Sequence, residues 1–386
     1  MKKKVLFVID SLTCGGAEKS LVSLLPLLDY NKLEVDLLIV RRGGIFDLHV
    51  PSQVRLIALP METGIRKMIR PLCRLRFFAR LRCNRLLGIS QHSAEQHWTT
   101  MKAAIAPLKK NYDAAVAWHQ GFPTYYVASR VNSVRKYAWV NIDLSKAGYA
   151  ASFNRSFYDR FDGISAVSDT LRMMLKNTDY IDKTRLYTVY DILNVDQIRQ
   201  LSRETGFNDN LPVGTLRIVT TGRMTTQKNY LLAVNTAWRL KENGLNFHWY
   251  FVGDGPERCH IKQLIEARSL QEHITLLGTQ SNPYPYMAGC DIYVQTSSFE
   301  GFCLTLREAR ILNKPVVSTD FPVVHDQIRD GENGLIAKMT PESVAEKILL
   351  LARDPALLEK LIAATRLEED RTAMTEAAKV NEMLLA

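Results

Sequence analysis

The chain has no acidic residue between positions 64 and 86, no Asp-x-Asp pair, no Cys-x-x-Cys pair and no run of 18 apolar residues. Each absence excludes something. The six cysteines, at 14, 73, 83, 259, 290 and 303, are scattered, and the histidines are not clustered at metal-ligand spacing. This pattern argues against structural zinc and for a reducing compartment, so a cytoplasmic location is expected. Without a long apolar run nothing is expected to cross a membrane. Lys2 to Lys4 precede an apolar stretch, but it covers only Val5 to Ile9 before Asp10, too short for the apolar region of a signal peptide. Repeats of solenoid length and low-complexity tracts are also missing.

The charge that is present is unevenly placed. The formal net charge is +10, yet residues 1–200 hold 30 Lys and Arg against 17 Asp and Glu, while residues 201–386 hold 20 against 23. Eight of the basic residues lie in 64–86, from Arg66 to Arg85. A length of 386 residues with 46% hydrophobic content suggests two cores, since single cores rarely exceed about 250–300 residues. The first half alternates apolar runs (KVLFVID, EVDLLIV, DAAVAWH, KYAWVN, GISAVS) with helical stretches, and a second alternation begins at LRIVTTG and runs through FHWYFVG, HITLLG, DIYVQT and PVVST. Such alternation predicts two parallel sheets covered on both faces. The polar stretch from Ser202 to Gly214 reads as the connection, giving domains over 1–200 and 201–369.

The most informative run is Ser298 to Glu308 (SFEGFCLTLRE). DIYVQT before it reads as a buried strand and LTLREARIL as a helix, so Glu300 and Glu308 flank a strand-to-helix junction, where open α/β sheets bind ligands. The orphan amides and positive dipole end of the helix favour a diphosphate, leaving the two carboxylates for hydroxyls. Arg223 and Lys228, five residues apart after LRIVTTG, can converge on one diphosphate, the arginine as a planar fork and the lysine as a point charge.

Glu300 and Glu308 resemble the Glu-x7-Glu element of retaining GT-B glycosyltransferases, specifically the large family 4 of nucleotide-sugar-dependent enzymes. Gly15-Gly16-Ala17-Glu18, Gly222-Arg223 with Lys228, Gly253-Asp254-Gly255-Pro256, Asp291 and Asp330-Gly331-Glu332-Asn333-Gly334 follow in the family's order and span nearly the whole chain. The resemblance implies a GT-B fold: two Rossmann-like domains facing each other across a deep cleft, acceptor-binding in the first and nucleotide-sugar-binding in the second, with a last helix of about residues 370–386 crossing back to the first. It implies that Arg223 and Lys228 neutralise the leaving nucleoside diphosphate, that Glu300 contacts the donor sugar and that Glu308 accepts hydrogen bonds from the ribose. Amides of Gly301, Phe302, Cys303 and Leu304 would hold phosphate or sugar oxygens, Leu277 and Gly278 the base, and Gly15 and Gly16 would approach the diphosphate. Gly253 is a donor contact or a plain turn residue, and Glu308 a ribose ligand or a solvated helix carboxylate.

One departure stands out. Where many members carry Trp-x-His-x-Asp, this chain has Trp139-Val140-Asn141-Ile142-Asp143; Asn141 and Asp143 are the acceptor-side candidates, and an asparagine cannot titrate. His119 is the nearest alternative base, or a satisfied core histidine. Front-face displacement, the mechanism commonly described for the family, needs no enzymic base, and the catalytic set is then Glu300, Arg223 and Lys228, with His119 in reserve. The expected protein is a retaining hexosyl or N-acetylhexosaminyl transferase that uses a nucleotide sugar, with a UDP-sugar as the expected donor, on a glycan or lipid-linked acceptor in surface polysaccharide or glycoconjugate synthesis, with no cofactor and no metal. A GT-B sugar-nucleotide epimerase, a phosphorylase and a non-catalytic membrane-associated GT-B partner subunit are the alternatives. Within 64–86, Ile65, Met68, Ile69 and Leu72 share a helical face, with Pro71 interrupting the pattern. That segment is expected to contact an anionic membrane peripherally, at the inner face of the cell membrane, and not nucleic acid.

Overall fold

The computed structural model describes residues 1–13, 15–60, 63–88, 91–178, 181–366 and 372–386. The cysteine at 14 and the domain boundary expected at 369/370 lie outside the described residues. Two compact units are present, Met1–Leu193 with Arg371–Ala386, and Asn194–Asp370.

In the first unit β1 (Lys3–Ser11), β2 (Leu33–Arg41), β3 (Arg55–Ile57), β4 (Asn111–Ala117), β5 (Asn132–Val140), β6 (Gly163–Ala166) and β7 (Leu186–Thr188) form one sheet in the order β3-β2-β1-β4-β5-β6-β7. All its pairings are parallel. In the second, β8 (Leu216–Thr221), β9 (Phe247–Val252), β10 (Ile274–Gly278), β11 (Ile292–Gln295), β12 (Val316–Thr319) and β13 (Leu335–Ala337) are ordered β10-β9-β8-β11-β12-β13, again all parallel. Strands covered on both faces need continuous apolar sequence: β9 is buried at all six positions, and Ile218, Trp249, Phe251 and Val294 sit in the core of the second unit. In both sheets the chain leaves the first strand in opposite directions, which creates a switch point between β1 and β4 in one and between β8 and β11 in the other. Ligands of doubly wound sheets bind at such points.

The helix Thr372–Leu385 belongs to the first unit. Its Asn381 side chain accepts from Asp29 N at 2.9 Å, its Met383 carbonyl accepts from the Tyr137 hydroxyl at 2.8 Å, and Glu376 accepts from Tyr190 N at 3.0 Å.

Two expectations are corrected. The polar stretch 202–214 is not the connection, because the second unit already begins at Asn194. Asp209 in that stretch accepts from Arg217 at 2.8 Å and from the Tyr250 hydroxyl, and Phe207 packs on the Tyr250 ring; these contacts anchor it to the second sheet. Pro71 does not interrupt the basic segment, which is one helix from Ile65 to Leu86. Proline removes one backbone hydrogen bond, but Pro71 is exposed, where water can satisfy the freed carbonyl.

Candidate functional site

The second unit's switch point brings together the loop after β8 and the loop after β11. Their backbones are laced by Ser298 N donating to Gln227 O at 2.8 Å and by the Thr296 hydroxyl donating to Lys228 O at 3.0 Å. The side chains converge more closely still: Lys228 Nζ is 2.7 Å from Glu300 Oε1, with the two side chains 15% and 9% exposed. Burial disfavours the lysine's charge, but the Glu300 carboxylate beside it outweighs that cost, and the amine's pKa is raised above the ordinary lysine value. Glu300 also accepts from the Ser297 hydroxyl at 2.6 Å and from Gln227 Nε2 at 3.1 Å. Arg223, by contrast, is exposed on the same loop.

Beyond Glu300 the chain turns into the helix Leu304–Ile311 through Cys303, which holds φ +71°, a left-handed conformation unusual for a residue with a side chain. Gln327 Nε2 fixes this turn by donating to the Phe302 carbonyl and, at 3.3 Å, to that of Cys303. The first-turn amides of the helix follow directly on the Lys228–Glu300 pair. Burial, with the Glu300 charge, pushes the Cys303 thiol up to about 12, so it stays a thiol. Glu308 is 1% exposed and accepts from the Tyr284 hydroxyl at 3.1 Å. It is not a solvated helix carboxylate.

Gly253 has a structural duty of its own. At φ +142° its added Cβ would lie 2.0 Å from the Gly222 carbonyl oxygen, and the loop after β9 supports the loop after β8 through Met224 N donating to Asp254 O at 2.9 Å. Leu277, next to last in β10, accepts from Gln280 Nε2 at its carbonyl at 2.8 Å, and Gly278 ends the strand.

At the first unit's switch point the register Val8↔Ala117 carries Asp10 to the place opposite His119. His119 Nδ1 is 3.9 Å from Asp10 Oδ2 and 2.9 Å from the Gln120 carbonyl. Burial raises the Asp10 pKa, opposed by His119, Arg41 and His97. Asn141 Nδ2 donates to Trp118 O at 3.0 Å, which ties the asparagine to the end of β4, and Asn141 N donates to Gln120 Oε1 at 3.1 Å. Asp143 Oδ1 accepts from Ser145 N, the Ser145 hydroxyl and Lys146 N, closing the following turn. Gly15 and Gly16 open the helix Gly16–Leu24; a Cβ on Gly15 would meet the Glu18 carboxylate at 2.0 Å, so that carboxylate folds over the helix's positive end.

Sequence reasoning missed Asp10, Gln227, Gln295 and Ser297. Asp10 had a usable signal, since it ends a strand at the sheet's switch point. The other three act through side-chain contacts that no spacing rule announces. Among the described residues, no group of three or more His, Cys, Asp or Glu side chains could hold a metal ion.

Residues 202–368 match the model of glycosyl transferases group 1. The chain is 25% identical over 348 residues, 89% of its length and 88% of the other's, to an N-acetylgalactosamine-N,N'-diacetylbacillosaminyl-diphospho-undecaprenol 4-alpha-N-acetylgalactosaminyltransferase of Campylobacter jejuni. It is 28% identical over 212 residues, 52% of its length and 43% of the other's, to a poly(ribitol-phosphate) alpha-N-acetylglucosaminyltransferase of Staphylococcus aureus. Anabaena HepE, solved with UDP and glucose, superposes with a TM-score of 0.73 over 99% of both chains at 16% identity. The fold is GT-B.

Proposed function

We propose that this protein, whose residues 202–368 match the model of glycosyl transferases group 1, transfers a sugar, with retention of configuration, from a UDP-sugar to a lipid-linked or glycan acceptor. The observation that carries this reading is the grouping at the β8/β11 switch point: an ammonium, the largely buried carboxylate of Glu300, the buried one of Glu308 and the amides of a helix N-terminus. Such a set suits a nucleoside diphosphate that carries a polyol. Lys228, Arg223 and the helix terminus would stabilise charge on the departing diphosphate. Glu300 would hold a donor-sugar hydroxyl, and Glu308 the ribose. In the transfer the bond from the anomeric carbon to the diphosphate oxygen breaks as the acceptor oxygen forms its bond on the same face, and the acceptor's proton passes to the diphosphate. No side chain need act as base, and we propose that no metal is required. Acceptor recognition falls to the first unit, at the ends of β1, β4 and β5. The diphospho-undecaprenol-linked acceptor of the Campylobacter relative favours a lipid-linked acceptor here. The deciding experiment incubates the protein with a panel of nucleotide sugars, with and without EDTA, and follows release of nucleoside diphosphate and the anomeric configuration of any product by NMR. Turnover of a UDP-sugar with retained configuration supports the reading; no release from any donor overturns it.

We further propose that the protein works peripherally at an anionic membrane on the cytoplasmic side, through the helix Ile65–Leu86. Of its side chains only Cys73 is buried, and Ile65, Met68, Leu72, Leu75, Phe78 and Leu86 are exposed. At 100° per residue Ile65, Met68, Leu72, Leu75 and Leu86 fall on one stripe, with Arg76 and Arg80 along one border and Arg82 along the other. An apolar stripe edged by cations on a helix without acids matches an anionic bilayer interface. No described helix is long and apolar enough to cross a membrane.

A further inference from the structure

A chain of polar side chains, buried through its middle, runs from the second unit's sheet to Glu300. The Thr221 hydroxyl is 3.0 Å from that of Tyr293, which donates to Gln295 Oε1 at 2.9 Å. The Thr305 hydroxyl donates to the same oxygen at 3.1 Å. Gln295 Nε2 then donates to the Ser297 hydroxyl at 2.6 Å, and that hydroxyl donates to Glu300 Oε1 at 2.6 Å. Tyr293, Gln295 and Ser297 each have no exposed surface.

Resting on the assignment of Glu300 to the donor sugar, we propose that Gln295 and Ser297 are positioning residues whose one-way hydrogen-bond chain aims the Glu300 carboxylate. The direction follows from the donor inventory. Gln295 Oε1 is occupied by two hydroxyl donors, so its amide nitrogen must face Ser297. Ser297 has one hydrogen, and because the Glu300 carboxylate can only accept, that hydrogen is committed to Glu300. Glu300 Oε1 therefore receives Ser297 and Lys228, while Oε2 receives Gln227. A carboxylate has about four acceptor sites, which leaves Oε2 with capacity for one hydroxyl or N–H donor from a ligand. A glutamine that ends the otherwise apolar strand β11 is costly to bury unless it is hydrogen-bonded, and here its oxygen accepts two hydroxyls while its nitrogen donates to Ser297.

Gln295 does not touch Glu300, so the proposal is tested by coupling through Ser297. Gln295→Leu, Ser297→Ala and Glu300→Gln are made singly and in pairs, and unfolding midpoints are measured on the ligand-free protein alongside transfer kinetics. Gln295 and Glu300 should show non-additive midpoint shifts, and the non-additivity should vanish in the Ser297→Ala background. Gln295→Leu and Ser297→Ala should each lower kcat on the order of 10-fold to 100-fold, as expected for a misplaced contact group, with UDP affinity unchanged and no further loss in the double variant. Additive midpoints overturn the chain, and variants that retain wild-type kcat overturn its positioning role. Coupling without any sugar transfer by the unaltered protein upholds the chain and instead overturns the donor reading on which its purpose rests.

Discussion

Lys228 and Glu300, which lie on different loops, form a nearly buried ion pair with Nζ 2.7 Å from Oε1. The pair holds the loop after β8 against the loop after β11 and places a cation and a carboxylate side by side at the switch point. A nucleotide sugar has a use for both, the diphosphate for the ammonium and a sugar hydroxyl for the carboxylate.

Removing one member of the pair leaves the other charge uncompensated. Lys228→Ala should therefore destabilise the second unit, by about 3–5 kcal/mol if the site behaves as a buried pair, and weaken UDP binding by about 1–3 kcal/mol. Arg223→Ala should weaken UDP binding similarly without the stability loss, because Arg223 is exposed. The raised pKa of Lys228 means that its contribution to stability is complete below the unfolded value and is lost only as pH rises through the higher folded value, so the stability lost in Lys228→Ala should stay the same from neutral pH to about 10. Calorimetry across that range, with denaturation of both variants, checks each part.

The two carboxylates should separate kinetically. Glu308→Gln is expected to weaken binding of bare UDP, because Glu308 is assigned to the ribose. Glu300→Gln should leave UDP binding nearly intact and depress kcat. Titrating both variants with UDP and then measuring initial rates distinguishes them, and the opposite pattern would mean that the roles are exchanged.

Much of this was legible from the chain because the signals are local. A strand, a turn and a helix with Glu300 and Glu308 at fixed spacing can be read from DIYVQT and LTLREARIL, and Ile292–Gln295 and Leu304–Ile311 are where the elements lie. The Lys228–Glu300 contact was not legible. Lys228 could be paired with a diphosphate on sequence grounds, but its ligand-free partner is 72 residues away and depends on how β8 and β11 are paired in the sheet. The boundary between units was misplaced for a related reason: a polar stretch looks like a linker until Asp209 is seen paired with Arg217.

At the first unit's switch point His119 Nδ1 lies 3.9 Å from Asp10 Oδ2. If the diphosphate takes the acceptor's proton, His119→Ala should keep UDP binding and reduce transfer by less than 10-fold, below the roughly 100-fold to 10,000-fold contribution of a general base. Asn141→His should retain the fold and donor binding. A loss of several orders of magnitude in His119→Ala, with UDP affinity unchanged, would make the histidine a base.

Asp191 carries a separate prediction about stability. Burial pushes its pKa up to about 7, against a hydrogen bond from Ser20, and its Oδ1 has no partner. A carboxyl that is more basic when folded binds an extra proton between its unfolded value near 4 and the folded value near 7. Stability should therefore fall as pH rises through that window and level off above it. Asp191→Asn should remove this slope and raise stability at pH 8 by roughly 2–4 kcal/mol. Urea denaturation at pH 5 and pH 8 reads the difference, and equal slopes in both proteins would rule out Asp191 as its source.

The helix Ile65–Leu86 should bind anionic vesicles, and its geometry specifies how. Its inner side is fixed to the first unit: Cys73 is buried, and the Phe77 ring meets His97 edge-on at 5.5 Å. Rotation of the helix to hide its outer stripe would break these contacts, so Ile65, Met68, Leu72, Leu75 and Leu86 remain outward for the bilayer. Each cation near an anionic leaflet contributes on the order of 1 kcal/mol, and that attraction is screened by salt. Sedimentation with phosphatidylglycerol vesicles should therefore show binding that weakens along a salt series, with little binding to phosphatidylcholine vesicles. Reversing Arg76, Arg80 and Arg82 to Glu should abolish the anionic preference, while Met68→Ser with Leu72→Ser should leave weaker, more salt-sensitive binding. Because these residues lie outside the second unit, all variants should keep UDP affinity, so loss of vesicle binding cannot be ascribed to a damaged donor site. Binding that is absent, or that ignores lipid charge and salt, would leave the stripe without its membrane.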